Sequence, residues 1–120
     1  MRLAELAQIL DLRALTPGTA ASAEEPDSEV TRGYASDLLS DVLANAPRGA
    51  VLVTLQVHLN VVAVASHAGL RAVIFSSGRL PDDEVIERAE QEGLVLYSSQ
   101  ADTFNIVGRL YELGLRGSST

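Results

Sequence analysis

The segment Ala50 to His67, AVLVTLQVHLNVVAVASH, constrains the fold more than any other part of the chain. Val51, Leu52 and Val53 form a short, unbroken apolar run. A polar turn follows, in which Thr54, Gln56, His58 and Asn60 alternate with apolar residues. The chain is apolar again from Val61 to Ala65, and Gly69 stands where a helix would stop. This pattern predicts a strand buried on both faces that feeds a helix. A strand covered above and below belongs to a sheet with crossover helices, and in open α/β sheets ligands bind beyond the carboxyl ends of the strands.

The same unit recurs along the chain. Glu29 to Tyr34 reads as a strand with Val30 and Tyr34 as core contacts, and Ser36 or Asp37 caps a helix running to about Asn45. Ala72 to Phe75 predicts a second buried strand. Ser76-Ser77-Gly78 follows as a turn, and Pro81 sits near the start of an acidic helix that ends at Gly93. Leu94 to Tyr97 is another strand and Ala101 to Leu113 the last helix, with Phe104, Val107 and Leu110 expected to face the core. Ahead of these units, Arg2 to Leu10 has helical spacing, Leu12 to Leu15 reads as a short strand, and Thr16 to Asp27 reads as a loop. Strands alternating with helices predict an α/β fold: three α/β/α layers around a mostly parallel central sheet.

Composition narrows the chemistry. With aromatics at 4%, the core must be aliphatic. No cysteine is present, so disulfides, thiolate metal sites and thiol nucleophiles are excluded. Every cation is an arginine, which removes lysine Schiff bases and the P-loop lysine. A net charge of -7 repels polyanions, so nucleic acid is not an expected partner. No apolar run reaches the ~18 residues of a membrane span, and Met1 to Glu5 is unlike a secretory leader. The expected compartment is the cytoplasm, and no cofactor is expected.

Small polar groups close each strand: Ser36 with Asp37; Thr54, Gln56, His58 and Asn60; Ser76, Ser77 and Gly78; and Ser98 with Ser99. Parallel strands would gather these groups on one rim, where helix amino termini favour an anion. Capping alone is the competing account of Ser36, Asp37 and Asn60. His58 stands evenly between a hydrogen-bonded histidine and a ligand contact, and His67 suits a helix carboxyl end. Arg32 would reach an anion or a carboxylate on a partner subunit, or else face solvent. No H-E-x-x-H, G-x-S-x-G, Walker or G-x-G-x-x-G pattern occurs, so Asp37, Asp41 and His58 as metal ligands, or Ser36, His58 and Asp37 as a triad, have no motif behind them.

The segment Val30-Thr31-Arg32-Gly33-Tyr34-Ala35-Ser36-Asp37-Leu38-Leu39-Ser40-Asp41-Val42 resembles the opening of the DRTGG domain, and Thr54 to Ala65 resembles small stand-alone proteins of that type. Val30-Thr31-Arg32-Gly33 carries one glycine where the family often has two. The resemblance implies a layered domain similar to the N-terminal domain of HPr kinase/phosphorylase, here spanning residues 1–116 with 117–120 as a disordered tail. Such domains accompany CBS domains in some pyrophosphatases and precede the catalytic domain in some phosphotransacetylases, as regulatory or subunit-contact modules.

The leading expectation is a non-catalytic regulatory module that forms a homodimer and binds a small anionic metabolite or nucleotide at the rim. Gln56, His58 and Asn60 would hydrogen-bond the ligand, and Ser76, Ser77 and Gly78 would supply backbone donors. Ser36 and Arg32 would close the rim, with Asp37 and Thr54 beside them. One alternative is an interaction domain for a partner enzyme, with the Ser36 to Asn45 helix or the first helix as the contact surface. The other is a small enzyme using His58 as a base oriented by Asp37.

Overall fold

The computed structural model describes residues 1–17 and 29–118. The chain begins with α1 (Leu3–Ile9), β1 (Arg13–Ala14), β2 (Gly33–Ala35), α2 (Leu39–Asn45) and β3 (Val51–Thr54). It continues through α3 (Asn60–Ala68), β4 (Ala72–Phe75), α4 (Asp83–Glu92), β5 (Val95–Ser98) and α5 (Thr103–Glu112). Most of the Thr16 to Asp27 loop, from residue 18 on, lies outside the described residues, as do residues 119–120 of the expected tail.

The five strands form one sheet in the order β1-β5-β4-β3-β2. The β2 to β5 run is parallel, with Tyr34 beside Leu52, Leu52 beside Val73 and Val73 beside Leu96, while β1 pairs antiparallel with β5. Because β2 to β5 are laid down in one direction, right-handed crossovers place α2, α3 and α4 on the same face. There Val42, Val61, Val62, Ala65, Val85 and Ala89 pack on Leu52, Val73, Phe75 and Leu96. The other face carries α1 and α5, whose Leu3, Leu6, Ile106 and Leu110 pack on Val51, Val53, Ile74 and Tyr97. Alternate residues of each strand therefore point into opposite aliphatic layers, which is why β3 and β4 read as unbroken apolar runs. The three-layer, mostly parallel architecture is the expected one.

Helix ends follow the sequence signals closely. Gly69 and Gly93 take left-handed conformations (φ 69° and 72°) and terminate α3 and α4. The expected strand at Glu29 to Tyr34 is shorter and shifted: Glu29 makes an isolated bridge to Arg2, and the ladder begins at Gly33. Val30 is buried as predicted, and its N–H donates to the Met1 carbonyl. The outer edge of β2 is covered in part by the end of the chain. The Gly33 N–H donates to the Arg116 carbonyl at 3.0 Å, and the Arg116 N–H donates to the Thr31 carbonyl at 3.1 Å. Within the expected tail, Gly117 accepts from Arg32 Nη1, and the Ser118 hydroxyl donates to the Asn45 carbonyl.

One expectation about packing is corrected. Phe104, Val107 and Leu110 do not share the buried face of α5. Ile106 and Leu110 are the fully buried residues, whereas Phe104 is 85% exposed and Val107 38%. The helix carries two apolar stripes, and the spacing of residues alone does not say which one meets the sheet.

Candidate functional site

The carboxyl ends of β2, β3, β4 and β5 lie side by side, because their register is parallel and nearly level. The polar residues that follow them therefore share one rim, and most of them are joined to one another. Asp37 does not cap α2. Its Oδ1 accepts from the Thr54 hydroxyl at 3.0 Å and from the Leu55 N–H at 2.7 Å, tying the β2–α2 connection to the end of β3. The fully buried Thr54 also accepts the Gln56 N–H at 3.0 Å and so shapes the turn after β3. The Ser76 N–H donates to the Thr54 carbonyl, and the Ser76 hydroxyl shares a 2.6 Å hydrogen bond with Thr103 at the start of α5.

Between β4 and β5 the following helices leave for opposite faces, α4 to one and α5 to the other. Such a switch point is where open α/β sheets hold ligands. Here the two loops are laced together. The Ser77 N–H donates to the Ala101 carbonyl at 2.8 Å, and the Gly78 N–H donates to the Ser99 carbonyl at 2.7 Å. The Ser98 hydroxyl donates to the Arg79 carbonyl, and Gln100 Oε1 lies 2.9 Å from the point a Cβ on Gly78 would occupy. Ser77 holds its place in this seam at φ 58°, a left-handed conformation that costs a serine roughly 1 kcal/mol. All three backbone donors expected to meet an anion are thus engaged within the fold, Ser76 with the Thr54 carbonyl and Ser77 and Gly78 with the neighbouring loop.

The rest of the rim is open. His58 is exposed, and its Nδ1 accepts the Asn60 N–H at 3.2 Å, so His58 acts as the cap at the entry of α3. Its Nε2 edge and the exposed Asn60 and Ser77 side chains face solvent, and Gln56 is half-buried with no side-chain hydrogen bond among the described residues. Asp37 and His58 share no hydrogen bond, since each is engaged elsewhere, so the structure does not assemble the base-and-orienter pair. Ser36 bonds within its own turn, to the N–H and the carbonyl of Leu38. Arg32 lies at the other end of the sheet. Its carbonyl accepts from Val51 at the beginning of β3, and the three residues of β2, a rise of about 13 Å over four residue steps, separate it from Ser36.

Two features escaped the sequence reading. The Tyr34 hydroxyl donates to Asp41 Oδ2 at 2.8 Å, and Asn45 donates to Asp41 Oδ1 at 2.9 Å. The hydrogen bond to Asp41 raises the Tyr34 phenol above its ordinary pKa. Donation from Asn45 first, then Tyr34, lowers the Asp41 carboxyl below its own. The spacing of Asp41 and Asn45, four apart on a helix, was the available signal. The second is a cleft of about 330 Å³ between β2, α5 and the 115–118 segment, walled by Tyr34, Val53, Val107, Leu110 and Tyr111. The Arg116 guanidinium stacks 3.7 Å from the Tyr111 ring centroid and fixes that wall. Among the described residues, no helix is long and apolar enough to cross a membrane, and no three acidic or histidine side chains converge as a metal site.

No family model matches the chain, and no curated protein matches it. Among solved structures it is similar to the CBS and DRTGG domains of the regulatory region of a Clostridium perfringens pyrophosphatase, complexed with the activator diadenosine tetraphosphate. The likeness has a TM-score of 0.70 at 18% identity over 94% of this chain, and this chain spans 46% of that one. At that identity the likeness is one of fold: the chain has a DRTGG-like α/β fold.

Proposed function

We propose that this chain is a non-catalytic regulatory module that dimerises and acts through contact with other protein surfaces. The supporting observation is how its polar residues are used. Asp37, Thr54, Ser76, Ser99 and Asp102 each hold a backbone or side-chain partner of the fold, so the chemistry-bearing groups of the rim serve the architecture. Large apolar side chains meanwhile stand on the surface, Phe104 foremost. The regulatory role of the structurally similar pyrophosphatase region agrees with this assignment. Sedimentation velocity over a concentration series tests it: a reversible dimer is expected, and a monomer at every concentration refutes the dimer.

A second reading has its own support. Gln56, His58, Asn60 and Ser77 leave polar groups on the open part of the rim, and the similar structure is complexed with a nucleotide activator. We propose this open part, rather than the laced switch point, as the place for a small anionic ligand. Thermal shift with mono-, di- and dinucleoside polyphosphates measures it. A ligand at 100 times its Kd adds about 2.7 kcal/mol, which for a chain this size raises Tm by roughly 10 °C. No shift with any of them removes the ligand from the proposal.

A further inference from the structure

A helix that is apolar on two sides is a helix covered on two sides. The inner stripe of α5, Ile106 and Leu110, is covered by the sheet. The outer stripe, Phe104, Val107 and Tyr111, recurs at i, i+3 and i+7, and Gly108 lies within it with open space where its Cβ would be. Tyr111 is 58% exposed. From the usual areas of such side chains the three leave on the order of 350 Å² open, close to half of the ~800 Å² each partner gives to a standard interface. No other described element exposes an aromatic side chain to this degree.

We infer that this stripe is the contact between two copies of the chain, with the two α5 helices crossing antiparallel at Gly108 about a two-fold axis. The inference rests on the dimeric reading above and adds its surface. Three observations favour a second copy as the occupant. A glycine at the centre lets two helix backbones approach closely. With a rise of 1.5 Å per residue, Phe104 lies about 6 Å on one side of Gly108 and Tyr111 about 4.5 Å on the other. An antiparallel crossing therefore sets the Phe104 of each copy against the other copy's Tyr111, and the two Val107 side chains near each other beside the crossing, at the mouth of the 330 Å³ cleft that Val107 and Tyr111 line. Charge agrees: Asp102 caps the start of α5 and Arg116 lies beyond its end, so each Asp102 comes to the same end as the other copy's Arg116, and the helix dipoles oppose.

Sedimentation equilibrium of wild type, Phe104→Glu, Gly108→Glu and Leu43→Glu tests the inference, with far-UV circular dichroism reporting that each is folded. Phe104 and Gly108 are exposed, so both charge variants keep the fold of the monomer. Each should weaken the dimer at least about 30-fold, the loss expected of a hot-spot residue, while Leu43→Glu on α2 leaves it within about twofold. A wild-type dimer that survives both α5 variants, or is lost with Leu43→Glu, overturns the surface assigned here and leaves the dimeric reading intact. A wild-type chain that is monomeric throughout overturns both.

Discussion

Replacing Thr54 by valine is the sharpest test of the rim as a structural seam. The change keeps the volume of a fully buried side chain and removes only its hydroxyl. That hydroxyl donates to Asp37 Oδ1 and accepts the Gln56 N–H, both at 3.0 Å. A hydrogen bond to a charged group contributes about 1.5–3 kcal/mol and a neutral one about 0.5–1.5. Asp37 is exposed, so water replaces part of the first, and the lower ends of both ranges apply. Their sum gives a loss of about 2 kcal/mol. Unfolding entropy near 2.1 cal/mol/K per residue gives about 0.25 kcal/mol/K for 120 residues, hence a fall in Tm of about 8 °C. Urea denaturation of Thr54→Val, Asp37→Ala and the double variant should show a coupling of about 1 kcal/mol, since both single changes break the same charge-assisted bond. A Thr54→Val chain melting within about 2 °C of wild type, or losses that simply add, would refute the reasoning.

His58→Ala should cost about 1 kcal/mol by removing the cap of α3, and His58→Asp, which restores a capping oxygen, should recover most of it in the same denaturation assay. Phe75, fully buried in the middle of the sheet, should lose 3–5 kcal/mol on truncation to alanine, a large part of an ordinary domain's stability, read as a drop in urea midpoint. Asp41 titrates below its ordinary value in the folded chain, so its contribution is present above the unfolded carboxyl's pKa and fades as pH falls through the folded one. Tyr34→Phe removes one of the donors responsible, so the stability gap between wild type and variant should narrow between about pH 7 and about pH 3; an unchanged gap would show that the bond is not linked to that carboxyl.

The core layers were legible in the sequence because β3, β4 and β5 are buried on both faces, and nothing but an apolar run satisfies that requirement. The stops at Gly69 and Gly93 were legible for a local reason, the left-handed residue that ends each helix. Asp37 shows where local reading fails. By position it caps a helix, yet its carboxylate reaches a strand seventeen residues on, since Thr54 and Leu55 offer it two donors at once. Arg32 fails differently: nearness in sequence to Ser36 placed it on the rim, but an extended strand carries the two to opposite ends of the sheet. On α5 both apolar stripes have helical spacing. Only the tertiary position of β5, last in the parallel run, decides that Ile106 rather than Phe104 turns inward.

The direction in which the sheet is wound links the two proposed surfaces. Since β5 ends the parallel run, its helix must cross to the free face to bring Leu115 to Gly117 back to the edge of β2, and ten helical residues give about 15 Å for that traverse. The same crossing creates the switch point between β4 and β5, and the hydrogen bonds across it fix the start of α5 through Ser76 and Thr103. The seam thus orients the helix that carries the outer stripe, while His58 and Asn60 stand apart at the entry of α3. Contact and ligand are therefore separable in this fold. Phe104→Glu should weaken the dimer and leave any nucleotide-induced shift in place, and His58→Ala should remove that shift and leave the dimer in place. A variant at either position that removed both would mean that the rim and α5 form one site.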